Sequence, residues 1–168
     1  PTTLYAPFVG ENGKIWYRGS LDGKSDTLLV TNSIDELPKP IDFGECKNTR
    51  RTYLHPSSLD PFAVLIDCGD SWEINYLDNN NPGSKWHKSL SKQFPNSLIS
   101  FGWTEDGKKA FVSVRSSTNP GDFYLLNTEK KSINYIGSSN QSLDLELLSE
   151  SKLFMFTARD GKQLQGIY

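Results

Sequence analysis

An all-β chain of short antiparallel strands is the fold class the residues predict, and three observations carry it. Thirteen Gly and nine Pro punctuate short runs of β-branched and aromatic residues, a pattern that favours strands over long helices. Asp-Gly pairs at Asp22-Gly23, Asp106-Gly107 and Asp160-Gly161 fall between such runs, where a tight hairpin needs the positive φ that Gly supplies at little cost. From Leu98 to Gly137 four candidate strands are separated by three turns within about 40 residues, the length of one β-propeller blade.

Taken in chain order, "GKIWYRGSLDGKSDTLLVTN" is a hairpin turning at Asp22-Gly23, with "PKPIDFG" as its candidate outer strand. "RTYLHP", "PFAVLIDCGD", "WEINYLDNNNPG" and "KWHKSLS" supply four further candidate strands, the third placing Trp72, Ile74 and Tyr76 on one face by the period of two. The clearest unit follows: strands Ile99–Trp103, Ala110–Arg115, Phe123–Asn127 and Ile133–Ile136, with turns at Asp106-Gly107, Asn119-Pro120-Gly121 and Glu129–Lys131. Helix is expected only as short turns near "SIDEL" and "SLDLELLSE", where Ser33 or Ser142 can cap. "PFAVLIDC" and "DFYLLN" are apolar at consecutive positions, as expected of strands covered on both faces by neighbouring blades.

The architecture expected is therefore a partial β-propeller of about three four-stranded antiparallel blades, with a Greek-key sandwich as the alternative. Propellers close with four to eight blades, so three are expected to be a portion of a larger ring.

Composition excludes several function classes. With 168 residues, 36% apolar and twenty aromatics, the chain is long enough for one core and too aromatic for disorder. A net charge of −2, with basic residues only in short groups such as "KNTRR" and "EKK", argues against nucleic acid as a partner. No apolar run approaches the roughly 18 residues of a membrane span. The compartment stays open between cytoplasm and periplasm or secretion. Cys46 and Cys68, 22 positions apart, read better as two unrelated thiols than as a bridge, since an isolated pair makes no disulfide framework.

Catalytic and metal-binding patterns resolve into turns. "VLIDCGDSWE" brings an apolar strand into Gly69-Asp70-Ser71, a block that resembles the first motif of the Gly-Asp-Ser lipases. Those enzymes carry Asp-x-x-His, whereas His55 and His87 are preceded at that offset by Thr52 and Ser84. Ser71 is retained as a nucleophile only in a minor alternative. Cys46, His55, Cys68 and His87 lack the Cys-x-x-Cys or His-x-x-x-His spacing of zinc ligands. "GENGKI" spaces Gly10 and Gly13 too closely for a phosphate loop and has Ile15 where Ser or Thr would hold magnesium. The oxygens of "LDNNNPG" suit calcium, but Asn-Pro-Gly turn chemistry explains the same residues. Asn140-Gln141-Ser142 fits a glycosylation acceptor. No cofactor, metal or catalytic residue is expected.

One resemblance gives direction. The blade "GWTEDGKKAFVSVRSSTNPGDFYLLNTEKK", followed by "FMFTARDGKQLQGIY", resembles the dipeptidyl-peptidase and acylaminoacyl-peptidase branch of the prolyl oligopeptidase family of serine peptidases. In that family an aromatic-x-x-Arg-Asp-Gly-x-x-Leu-x-Gly-Tyr pattern opens the α/β-hydrolase domain directly after the last blade. Phe156, Arg159, Asp160, Gly161, Leu164 and Gly166 match it, with Ile167 intervening before Tyr168. The resemblance implies a propeller portion over residues 1–150 and the start of a hydrolase domain over 151–168. It also implies a serine peptidase in which this portion caps the active site and admits short peptides. Gly-x-Ser-x-Gly does not occur in the chain, so the chain alone is expected to be inactive. It is also expected to self-associate, through a terminal blade face or through its unfinished hairpin edge. The alternative function is a protein- or glycan-binding propeller with no hydrolase.

Overall fold

The structure is a computed structural model describing residues 2–44, 46, 48–69 and 71–168. The all-β class holds: thirteen strands and one α-helix are seen among the described residues. Two compact units divide the chain, Pro1–Lys85 and Trp86–Tyr168.

The first unit opens with a meander of β1 (Thr3–Val9), β2 (Ile15–Ser20), β3 (Thr27–Thr31) and β4 (Lys39–Pro40), hydrogen-bonded in that order. β1 was not expected; the predicted outer strand in "PKPIDFG" shrinks to the two residues of β4. "GENGKI" is the β1–β2 turn, with the Gly13 N–H donating to the Gly10 carbonyl at 3.0 Å. A three-stranded sheet follows: β5 (Asn48–Leu54), β6 (Pro61–Asp67) and β7 (Trp72–Tyr76), with β6 in the centre. All of β6 from Pro61 to Ile66 is buried, so both faces of this strand are covered. Its Val64 and Ile66 pack with Trp16 and Leu28 of the first sheet, and that cluster is the core of the unit.

Where "KWHKSLS" is predicted as the fourth strand of this sheet, the chain instead forms α1 (Pro82–Gln93). The same helix overturns the expectation that helix is confined to short turns. Asn81, taken for a turn residue, caps α1: its Oδ1 accepts the Gly83 N–H at 2.8 Å. Pro82 then occupies the first helical position, where its fixed φ fits and its missing N–H leaves no bond unmade. Trp86, Leu90 and Phe94 recur at i, i+4 and i+8, the spacing of one helical face.

In the second unit β8 (Leu98–Trp103), β9 (Lys109–Arg115), β10 (Asp122–Asn127) and β11 (Ser132–Ser138) form a four-stranded meander, within two residues of every predicted boundary. The predicted turns are there. Gly107 N–H donates to the Thr104 carbonyl at 2.9 Å, and Gly121 N–H donates to Asn119 Oδ1 at 2.9 Å. One face of the sheet presents Ile99, Ala110, Val112, Val114 and Leu126 to Leu90, Trp86 and Phe94, forming the core of the unit.

"DFYLLN" corrects the expectation of two covered faces. Leu126 is sealed, but the adjacent Leu125 and Phe111, which faces Leu125 across the strands, are exposed, because α1 covers the other side. Near "SLDLELLSE" a single 3-10 turn forms at Leu145–Leu147, capped by Asp144 rather than Ser142, with Asp144 Oδ1 accepting the Glu146 N–H at 3.0 Å. "SIDEL" is a turn, in which Ser33 Oγ accepts the Asp35 N–H at 3.2 Å. The chain then forms the hairpin β12 (Leu153–Thr157) and β13 (Gln163–Ile167).

Candidate functional site

The β12–β13 hairpin and the uncovered face of β8–β11 hold the apolar surface of the second unit. At the hairpin tip the Ala158 N–H donates to the Lys162 carbonyl and the Gly161 N–H to the Ala158 carbonyl, at 2.8 and 2.9 Å. Gly161 takes φ +81°, a conformation that costs a residue with a Cβ far more. Asp160 holds the turn, accepting the Lys162 N–H and pairing with the Lys162 ammonium at 3.0 Å. That ammonium favours the charged carboxylate and lowers its pKa. Arg159 and Asp160 thus stand at an exposed tip, as the sequence predicts.

Behind the tip, Phe156 pairs with Leu164 and Phe154 with Gly166. A Cβ at Gly166 would lie 2.5 Å from the Phe154 ring, so glycine lets that ring lie flat across the partner strand. Phe154 stacks on Phe156 at 5.8 Å and meets Tyr168 at the same distance. All five residues of β12 are exposed. The other surface is a second stacked pair, Phe111 and Phe123 at 5.2 Å, with Leu125 beside them on the same face. Period-two reading of β9 and β10 was the signal for this surface: Phe111 and Leu125 lie opposite the buried set. Surfaces of this kind bind by excluding water.

The catalytic decoys are used structurally. His55 Nδ1 meets Ser57 Oγ at 3.1 Å and accepts the Ser58 N–H at 3.3 Å, shaping the β5–β6 turn. His87 is 2% exposed on α1, with Ser91 Oγ 3.3 Å from its Nδ1 and Phe101 edge-on at 5.9 Å. Burial disfavours its charged form and pushes its pKa down to about 4. In the Gly69-Asp70-Ser71 block Asp70 lies outside the described residues; the Ser71 carbonyl accepts the Cys68 N–H at 2.9 Å, closing a turn. Asp78 and Asn81, the oxygens considered for calcium, accept the N–H groups of Asn80 and Gly83.

The cysteines require a correction. Cys46 and Cys68 form a disulfide with Cα atoms 4.7 Å apart, not two unrelated thiols. Their pairing follows from the register of β5 and β6, in which Asn48 faces Asp67, so the residues flanking that pair are brought together. Glu73 lies close to both sulfurs, but sulfurs joined to each other are not thiolate ligands. At the same end of the sheet Asp67 accepts the Gly69 N–H at 2.8 Å and the Arg50 Nε–H at 2.8 Å. These bonds stabilise its carboxylate and lower its pKa.

Among the described residues no helix is long and apolar enough to cross a membrane. No protein-family model matches the chain, and no curated protein matches it.

Proposed function

We propose that the chain is part of the β-propeller of a serine peptidase similar to the prolyl oligopeptidases, residues 1–150, followed in 151–168 by the first strands of its α/β-hydrolase domain. The observation that carries this reading is the order of the second unit. A four-stranded meander with an apolar, uncovered second face runs into a hairpin turned at Arg159-Asp160-Gly161. In a propeller that second face, with Phe111, Phe123 and Leu125, is where the next blade stacks. The hairpin's Phe154, Phe156 and Tyr168 then pack against the hydrolase domain.

The role of this portion is steric. It covers the active site, limits entry to short peptides, and leaves acyl transfer to a Ser-His-Asp triad and oxyanion hole in the other domain. A serine-directed fluorophosphonate probe tests the assignment. The expected result is no labelling of this chain, and labelling of the polypeptide extended beyond Tyr168 at a Gly-x-Ser-x-Gly serine. Labelling at Ser71, or an extension without that motif, overturns it.

The same uncovered faces lead to self-association of the isolated chain. Light scattering at rising micromolar concentration is expected to show dimers, through an interface burying more than about 1,000 Å². A concentration-independent monomer would refute this.

A further inference from the structure

Asn140, Gln141 and Ser142 follow β11 and precede the Leu145–Leu147 turn, and all three are exposed. The loop leaves the sheet at a fixed point, where the Ser139 N–H donates to the Gly121 carbonyl at 2.8 Å. Beyond it, Ser142 Oγ donates to Asn140 Oδ1 at 3.0 Å. The serine hydroxyl therefore engages the oxygen end of the amide of an exposed asparagine. This is the single Asn-x-Ser/Thr triplet in the sequence, and such a triplet alone says little.

The disulfide is an independent observation. Both cysteines of the chain are joined to each other, and structural disulfides form and persist in oxidising compartments. A eukaryotic chain that forms one on its way out of the cell passes the enzymes that glycosylate Asn-x-Ser/Thr. From the two together we infer that Asn140 is an acceptor for an N-linked glycan. This inference is independent of the peptidase reading.

In the reaction, Asn140 Nδ2 attacks the anomeric carbon of an oligosaccharide carried on a polyisoprenyl diphosphate. The C1–Nδ2 bond forms and the C1–O bond to the diphosphate breaks. The diphosphate leaves with the electron pair, and Nδ2 gives one proton to a base of the transferase. Ser142 acts as a positioning residue, and threonine can replace it because only the hydroxyl is used.

The test is secretion of the full chain from eukaryotic cells behind a cleavable leader. Intact mass is measured before and after peptide N-glycosidase, with peptide mapping at position 140. Expected is loss of one glycan's mass with conversion of Asn140 to Asp, retention of the glycan in Ser142→Thr, and its loss in Ser142→Ala and Asn140→Gln. Thiol titration of each secreted variant, expected to find no free thiol, verifies that the fold and its disulfide have formed. A wild-type chain secreted with the disulfide closed and no glycan overturns the inference. So does a glycan that persists in Asn140→Gln.

Discussion

In β9 alternate side chains, Ala110, Val112 and Val114, are buried, whereas in β12 all five residues from Leu153 to Thr157 are exposed. Both strands are apolar, and both lead into or out of an Asp-Gly turn held by an aspartate side chain. The difference lies in the third layer. The β8–β11 sheet has Trp86, Leu90 and Phe94 lying against it, while on the β12–β13 pair Phe154 stacks on Phe156 and meets Tyr168, just past β13, with all five residues of β12 still exposed. Local rules set strand pairing and register; a covering element decides whether the pairing contributes stability. A two-stranded hairpin alone is marginal in water.

That contrast can be broken most directly by paired truncations. Leu126→Ala removes a side chain with no exposed surface and is expected to lower unfolding stability by about 2–5 kcal/mol. Phe156→Ala removes a larger side chain that is 44% exposed, with an expected effect within about 0.5 kcal/mol. Denaturant titration of the isolated chain measures both. Equal losses would show that the hairpin belongs to the same packed core.

A second difference concerns protons. His87 is buried in the covered layer and its pKa is pushed from 6.5 down to about 4. Because the folded state binds the proton less readily than the unfolded state, His87 contributes stability in full above about pH 6.5. That contribution is lost as pH falls toward about 4, up to about 3 kcal/mol in all. The check is stability at pH 7, 5.5 and 4 for the wild type and His87→Gln. The gap between the two curves is expected to change over this window, and parallel curves would remove His87 from the covered layer.

A third contrast comes from added methyl groups. At Gly83 a Cβ would lie 2.6 Å from the Phe62 ring, which is 1% exposed and has no room to move, so Gly83→Ala is expected to cost about 1–3 kcal/mol. At Gly166 the approach to Phe154 is as close, but that ring is half exposed and can swing into water, so Gly166→Ala is expected to cost under about 1 kcal/mol. Thermal melts of the two variants compare them. A larger loss at Gly166 would mean that Phe154 is held in place.

These pairs also show what was legible. Strands β8 to β11 were readable because alternation and Asx turns at Asp106 and Asn119 are short-range signals, and the 158–162 hairpin tip was readable for the same reason. α1 was misread because Asn81-Pro82-Gly83 satisfies both a turn and a helix start. The deciding signal was the four-residue spacing of Trp86, Leu90 and Phe94, which runs past the "KWHKSLS" segment taken as a strand. The Cys46–Cys68 pairing was not readable locally, since it depends on which β5 residue faces which β6 residue. The surface site was half legible: the turn residues were visible, whereas the exposure of Phe111 and Leu125 depended on which face α1 would cover.

The disulfide turns the β5–β6 hairpin into a closed loop of chain. Cys46 stands two residues before β5 and Cys68 one residue after β6, so the covalent link lies at the end opposite the His55–Asp60 turn. A protease that cuts that turn leaves the two strands joined, and the halves cannot diffuse apart. A force applied along the chain passes through the sulfurs and bypasses the hairpin. The 22-residue separation, about 75 Å of extended chain at ~3.4 Å per residue, is thereby withheld from stretching until the bridge is reduced.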